Sequence, residues 1–172
     1  EARLAGLEPY RAMLAKAHSK SRDVAWTRGD GAELPFRTST FDFATSQYSF
    51  HHVARKERML REVRRVLRPG GRFVMTNIDP WAMQDAHLYR YFPEALEADR
   101  RDFATPEGIE LLMKRAEFDR VEKTSKHARI VHEHAEQAGD NLFGLARHAP
   151  HPVVVIELLA QEAFQFKALR VH

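Results

Sequence analysis

Carboxylate side chains stand at the ends of two apolar segments in the first third of the chain. Glu8 closes the stretch of residues 2–8, and Asp30 lies in a Gly-Asp-Gly turn that ends residues 23–30. In a nucleotide-binding α/β fold, a carboxylate at a strand end commonly holds a ribose, because one group can accept hydrogen bonds from two hydroxyls. Glu8 is therefore the first candidate for a nucleotide contact.

Two adjacent histidines follow a third apolar segment. His51 and His52 stand at the entrance to a predicted helix, and either imidazole could act as a general base. We predict that His51 has this role and that His52 caps the helix or packs against its start. Neighbouring histidines point in different directions, and no carboxylate pattern supports them, so no metal site is predicted.

Strands and helices must alternate to bring these side chains together. Residues 2–8, 23–30, 41–46 and 72–78 read as strands, whereas helices are predicted after Pro9 and over residues 55–67. This alternation over short loops predicts an α/β fold with a Rossmann-like, doubly wound and mostly parallel sheet. Residues 1–78 would form the cofactor-binding core of this domain.

The rest of the chain divides into two further parts of the same domain. Residues 79–104 are predicted to be an inserted helical segment, rich in aromatic side chains, that serves as a lid or substrate segment. In the C-terminal part, residues 105–172, Thr105 and Pro106 indicate the start of a helix. We expect a helical C-terminal region from residue 132 onward, although residues 153–171 fit both a helix and a strand pattern.

Composition is that of a globular protein. The 172 residues are 44% hydrophobic and 30% charged, and no apolar run is long enough to span a membrane. The absence of cysteine agrees with a cytoplasmic location. The net charge is +3, and the densest basic run, residues 55–68, carries apolar residues at helical spacing. We interpret its charges as a solvated helix face, with a nucleic-acid patch as the less favoured alternative.

Four segments in order carry a family resemblance. They are "GLEPYRAMLAKA", "GDGAELPF", "FDFATSQYSFHHV" and "REVRRVLRPGGRFVM". The chain resembles a class I S-adenosylmethionine-dependent methyltransferase, in the small-molecule group that includes ubiquinone and menaquinone biosynthesis enzymes. The likeness covers about residues 2–78 and extends more loosely to about residue 131. It implies S-adenosylmethionine as cofactor and in-line displacement of its methyl group by a small-molecule acceptor.

The resemblance also implies roles for individual residues. Glu8 would accept hydrogen bonds from the ribose, Asp30 would accept from the adenine amino group, and Ser46 would lie beside the methionine part. The full set of implied cofactor contacts is Glu8, Pro9, Asp30, Gly31, Ala32, Ser46 and Gln47. In that scheme Gly31 and Ala32 offer backbone N–H groups to the adenine ring.

Acceptor contacts are expected from aromatic and histidine side chains. His51 would remove a proton where the acceptor must lose one. The implied substrate-binding set is Tyr48, Trp81, His87 and Tyr91. For the three in the inserted segment, ordinary packing of a core or lid is an equally weighted alternative.

The first family strand and its glycine-rich loop have no counterpart in the sequence. They are expected before the strand that ends at Glu8, yet only five residues precede Gly6. Half of the cofactor site is therefore expected to be missing. An alternative is a truncated or degenerate domain that acts as a binding or oligomerisation module.

This gap leads to a prediction about the sheet. The family's first strand lies in the middle of a parallel sheet, and an empty central position would leave backbone groups without partners. We predict that the flanking strands close directly on each other, that another chain donates a strand, or that the sheet is rebuilt as an intertwined oligomer. A homo-oligomer that completes the sheet is thus a possible partner.

Overall fold

The computed structural model describes residues 3–122 and the backbone of the strand Val153–Ile156. The five strands in these residues are β1 (Leu4–Glu8), β2 (Val24–Arg28), β3 (Phe41–Gln47), β4 (Leu67–Thr76) and β5 (Val153–Ile156). The five α-helices are α1 (Arg11–Lys20), α2 (Lys56–Val66), α3 (His87–Tyr91), α4 (Pro93–Asp102) and α5 (Pro106–Arg115). No helix in the described part of the chain is long and apolar enough to cross a membrane.

All five strands join one parallel sheet in the order β2-β1-β5-β3-β4. This arrangement confirms the predicted Rossmann-like α/β fold. Parallel strands place their carboxyl ends at one edge, so Glu8, Gln47 and Thr76 lie along the same side of the sheet. We call this side the carboxyl edge.

The central position of the sheet is filled by the chain itself. β5 pairs with β1 on one side and with β3 on the other, so that Val155 is level with Gly6 and Thr45. The expectation that the position is not empty is confirmed, but all three predicted ways of filling it were wrong. The prediction of a helical C-terminal region is wrong at Val153–Ile156, which form a strand, and the rest of that region lies outside the described residues. The sequence Val-Val-Val-Ile suits a central parallel strand, because β-branched residues are favoured there.

One face of the sheet packs against α2. The buried core on this side consists of Leu7, Leu34, Phe41, Ala44, Phe50, Val53, Met59, Leu60, Val63, Val66, Leu67 and Ala116. The apolar residues of α2 recur at helical spacing and face the sheet, whereas Arg58 and Arg61 are exposed and pair with carboxylates. The basic run is therefore a helix with one buried face.

The other face carries a close contact between β1 and β2. Gly6 and Trp26 are level with each other in the sheet, and the indole N–H of Trp26 donates to the carbonyl of Ser21 over 3.1 Å. A Cβ atom at Gly6 would lie 2.2 Å from an indole carbon of Trp26. Only glycine therefore lets the indole lie across β1.

The Arg-Pro-Gly-Gly segment is part of β4. We predicted a turn between α2 and a strand beginning at Arg72, but β4 begins at Leu67. The register shifts between Phe41 and Phe43 of β3, and Gly70 has a φ of 78°. A bulge thus absorbs the extra residues within the strand.

The inserted segment is helical, as predicted. The hydroxyl of Tyr89 in α3 donates to Oδ2 of Asp99 in α4 over 2.7 Å, which ties the two helices together. The predicted start of α5 is also confirmed. The N–H of Gly108 donates to Oγ1 of Thr105 over 3.1 Å, and Pro106 occupies the first turn.

Candidate functional site

Glu8 lies at the carboxyl edge, where a buried strand meets the start of α1. Its side chain is fully buried, and Oε1 accepts a hydrogen bond from the backbone N–H of Tyr10 over 2.8 Å. A carboxylate can accept about four hydrogen bonds in all. The bond from Tyr10 fixes the orientation of the Glu8 carboxylate. Pro9 follows directly, and its carbonyl accepts from Nε of Arg28 over 3.2 Å. Helix α1 begins two residues later than predicted, at Arg11.

Asp30 follows β2 and has both carboxylate oxygens engaged. Oδ1 accepts from the N–H of Ala32 over 2.8 Å, and Oδ2 accepts from Arg55, also over 2.8 Å. The backbone bond from Ala32, followed by the bond from Arg55, lowers the pKa of Asp30. The implied donation from Ala32 to adenine is therefore not available in this conformation. Gly31 is buried between these residues, with Met59 beyond it.

A pair on α2 holds the loop that continues from Asp30. Oε2 of Glu62 accepts from the N–H of Leu34 over 2.9 Å. Arg65 donates to the carbonyls of Leu34 and Phe36 over 3.0 and 2.8 Å, and also to both oxygens of Glu62. We call Glu62 and Arg65 the loop clamp. Sequence reasoning missed it, although the spacing of three residues on a helix permits an acid–base pair.

Ser46 and Gln47 end β3 beside the central strand. The hydroxyls of Ser46 and Ser49 are fully buried and lie 2.7 Å apart in one hydrogen bond. Gln47 is half-buried, whereas Tyr48 is 39% exposed and has a φ of 49°. The N–H of Tyr48 donates to the carbonyl of Thr76 over 2.9 Å, so this left-handed residue is held against the end of β4.

His51 lies in the short 3₁₀ turn Phe50–His52, between two other rings. Its ring stacks on Phe103 with centroids 4.0 Å apart and approaches the ring of His52 at 3.8 Å. Burial, and then the proximity of His52, lower the pKa of His51 to about 4, while a hydrogen-bonding contact with the Asn77 side chain acts in the opposite direction. The imidazole is thus neutral near pH 7, the form that can accept a proton.

Asn77 directly follows β4 and was not predicted as a site residue. Both polar atoms of its amide and Nδ1 of His51 are buried and make no well-aligned hydrogen bond to the described residues, although the Asn77 amide is close enough to His51 to act on its pKa. Nearby, the ammonium of Lys56 donates to the carbonyls of His51 and Val53 over 3.3 and 3.2 Å. A single asparagine after a strand gives no sequence signal, so only the structure shows this cluster.

The aromatic residues predicted to cover the acceptor are distributed differently. Trp81 is half-buried in a turn, where its backbone N–H donates to Oδ1 of Asp79 over 3.0 Å. His87 is exposed and Tyr91 is 76% exposed. The ring that covers His51 belongs instead to Phe103, directly after α4. The structure therefore does not bring Trp81, His87 and Tyr91 together with His51 by any contact in the described residues.

Comparisons with known proteins show a likeness to methyltransferases. A family described as a methyltransferase domain matches residues 2–75. The demethylmenaquinone methyltransferase of Thermotoga maritima is 29% identical over 140 residues, which are 67% of this chain and 59% of that protein. The protein of the same name from Thermus thermophilus is 30% identical over 126 residues, or 60% of this chain and 56% of that protein. The chain thus spans less than two thirds of these relatives.

The fold has a counterpart among solved structures. An S-adenosylmethionine-dependent methyltransferase from Mesorhizobium loti superposes with a TM-score of 0.57 and 22% identity, covering 80% of this chain and 74% of that chain. This likeness supports the fold. Together with the family match, it confirms the resemblance drawn from the sequence.

Proposed function

We propose that the protein is a class I S-adenosylmethionine-dependent methyltransferase that transfers a methyl group to a small-molecule acceptor, because residues 2–75 match a family described as a methyltransferase domain. The buried carboxylate of Glu8 at the carboxyl edge carries this proposal. A carboxylate without solvent contact is costly to bury unless it serves structure or a ligand. Its position, at a strand end beside the central strand, is where α/β sheets bind nucleotides.

The residues at the carboxyl edge fit the adenosine end of S-adenosylmethionine. Glu8 would accept hydrogen bonds from the ribose hydroxyls, and Asp30 would accept from the adenine amino group. Asp30 meets adenine only if it exchanges its bond to Arg55 or Ala32 for the new one, because both oxygens are already engaged. Ser46 and Gln47 would lie along the methionine part.

S-adenosylmethionine supplies an activated methyl group on a sulfonium, so the protein mainly has to orient the acceptor. Orientation of this kind contributes about 7 to 11 kcal/mol. The neutral imidazole of His51 would accept a proton from an acceptor that must lose one. Its lowered pKa makes it a weak base, so His51 suits an acceptor whose proton becomes acidic as the new bond forms.

The names of the relatives direct the acceptor proposal towards quinone-type molecules. Two of them are demethylmenaquinone methyltransferases, and we propose an aromatic acceptor of that kind for this chain. A cytoplasmic location, supported by the cysteine-free composition, is part of the same proposal. The ion pairs that engage Arg58 and Arg61 support the view that nucleic acid is not the partner.

Calorimetric titration with S-adenosylhomocysteine and with adenosine tests this function. Glu8→Ala should weaken both ligands about 10- to 100-fold, because a charged hydrogen-bond partner of the shared ribose is lost. Glu57→Ala, which removes one partner of an exposed ion pair on α2, is the matched control and should leave both affinities unchanged. Equal affinities for wild type and Glu8→Ala, or no binding of adenosine by the wild type, would contradict the proposal, because Glu8 and Asp30 are proposed to hold the adenosine end.

A further inference from the structure

Three polar atoms at the carboxyl edge are buried without a well-aligned hydrogen bond to any of the described residues, although Asn77 is close enough to His51 to act on its pKa as a hydrogen-bond partner. They are Nδ1 of His51 and the two polar atoms of the Asn77 amide. More than nine in ten buried polar groups in proteins are hydrogen-bonded, and leaving one unpaired is destabilising. A cluster of three such atoms therefore calls for an explanation beyond folding.

The two residues come from neighbouring strands and meet at the edge that carries Glu8. The register pairs Gln47 with Thr76, so the 3₁₀ turn after β3 and the residue after β4 lie side by side. Ligands of parallel α/β sheets bind outside the carboxyl ends of the strands. The position of Asn77 is thus that of a ligand contact rather than of a residue in the core.

The side chains of His51 and Asn77 are both uncharged near pH 7. His52, Lys56 and Asp102 act electrostatically on His51: the first two lower its pKa, and Asp102 raises it. The Lys56 ammonium bonds to backbone carbonyls rather than to the imidazole. The low pKa of His51 keeps the ring uncharged near pH 7.

We propose that Asn77 is a substrate-binding residue that, together with Nδ1 of His51, binds an uncharged oxygen of the methyl acceptor. This inference rests on the proposed function. With its proton on Nε2, His51 offers one acceptor, while the amide offers one acceptor and two N–H donors. A hydroxyl both donates and accepts, so it complements this set. A carboxylate only accepts, an ammonium only donates, and burying either charge beside a neutral pair is costly.

Access to the pair depends on Phe103. Its ring stacks on His51, and the three polar atoms have no solvent contact in this conformation. The acceptor must therefore displace the Phe103 ring, which stands at the junction of α4 and the segment leading to α5.

Three matched probes test the proposal without knowledge of the natural acceptor. At pH 7, 2-phenylethanol is neutral, phenylacetate is an anion and 2-phenylethylamine is a cation, while the phenyl group is shared. Binding is followed by NMR through the side-chain signals of His51 and Asn77. We expect 2-phenylethanol to shift both signals and to bind at least about tenfold more tightly than the charged probes.

Variants at Asn77 separate ligand binding from a structural role. Asn77→Leu is similar in size but has no polar side-chain atoms. It should raise the Tm, because the buried amide atoms that lack well-aligned hydrogen bonds are removed. It should also weaken 2-phenylethanol binding about tenfold, because the proposed hydrogen bond to the probe is lost. Asn77→Asp should shift the preference towards 2-phenylethylamine. Thr45→Val is the control, because Oγ1 of Thr45 is also buried without a partner but lies within β3, and it should leave probe binding unchanged.

Several results would overturn the proposal. These are equal affinity for the three probes, no shift of the His51 and Asn77 signals by any probe, or an Asn77→Leu variant with a lower Tm and unchanged binding. S-adenosylhomocysteine is titrated in parallel. If the proposed function is wrong, the wild type should not bind S-adenosylhomocysteine. If only the role of Asn77 is wrong, that binding should remain.

Discussion

The two halves of the carboxyl edge differ in how their polar groups are satisfied. On the β1–β2 side, Glu8 is held by Tyr10, and Asp30 is held by Ala32 and Arg55. On the β3–β4 side, Nδ1 of His51 and the Asn77 amide are buried and make no well-aligned hydrogen bond to the described residues. The first half is preorganised by the protein's own hydrogen bonds. The second half retains hydrogen-bonding capacity at a cost in stability, which is expected where a variable substrate binds.

The most severe change to the preorganised half is Gly6→Ala. The new Cβ would lie 2.2 to 2.8 Å from three indole carbons of Trp26, so β1 and β2 could not keep their spacing. We expect a loss of about 3 kcal/mol or more in the free energy of unfolding, measured by urea denaturation. Gly31→Ala is the control, because its Cβ would approach Met59 no closer than 3.5 Å. Equal losses in both variants would refute the packing argument.

The loop clamp gives the next largest effect. Arg65→Ala removes charge-assisted hydrogen bonds to Glu62 and to the Leu34 and Phe36 carbonyls, and should cost about 2 to 3 kcal/mol of stability. Arg61→Ala, which breaks an exposed pair on the same helix, should cost less than about 0.5 kcal/mol.

The stability that the loop clamp contributes should be lost at acidic pH. The Arg65 side chain lowers the pKa of Glu62 below its ordinary value of 4.5 in the folded state. The clamp's contribution is therefore complete above pH 4.5 and is lost as the pH falls through the lower, folded-state pKa. A Glu62→Gln variant should lack this part of the acid dependence, and an unchanged pH profile in that variant would remove Glu62 from the clamp.

His51, in the β3–β4 half of the carboxyl edge, should make stability depend on pH in the range of about 5 to 7. Its folded-state pKa of about 4 lies below the ordinary 6.5, so the unfolded chain binds more protons between these values. Stability should be complete above pH 6.5 and fall by about 1 to 2 kcal/mol as the pH is lowered from 7 to 5. His51→Gln should abolish this loss, whereas His52→Gln should retain most of it, because burial is the largest cause of the lowered pKa and His52 the second. Urea midpoints at the two pH values provide the measurement.

The smallest expected effect concerns Arg55. Its ion pair with Asp30 is half-exposed on both sides, so Arg55→Ala should change the free energy of unfolding by no more than about 0.5 kcal/mol. Because the change releases one oxygen of Asp30, adenosine should bind at least as tightly as to the wild type. Weaker binding in calorimetry would show that Arg55 itself contacts the ligand.

Local patterns predicted the elements that position the β1–β2 half of the carboxyl edge. The apolar stretch before Glu8 is β1, the alternation of strands and helices indicated the parallel sheet, and Thr105 marked the start of α5. These features depend on residues within a few positions of one another, where turn, cap and periodicity signals act. The carboxylate of Glu8 was found because it stands at the end of such a pattern.

The features that the sequence did not reveal depend on distant residues. β5 reaches the centre of the sheet from Val153, nearly the whole chain away from β1, and four β-branched residues do not specify which edges they join. Asp30 is paired with a guanidinium 25 positions away. His51 was proposed from its type, but its proximity to Asn77 depends on the pairing of β3 with β4, and its stacking on Phe103 depends on a residue of the inserted segment about 50 positions away.

Mapping S-adenosylhomocysteine by two-dimensional amide NMR tests the central claim, that the carboxyl edge is the cofactor site. If the carboxyl edge is the cofactor site, the largest shifts should occur at the amides of Tyr10 and Ala32, whose N–H groups donate to Glu8 and Asp30. Ser39, at the opposite edge before β3, should not shift. Shifts confined to the opposite edge, or unchanged Tyr10 and Ala32 signals at saturating ligand, would contradict the account.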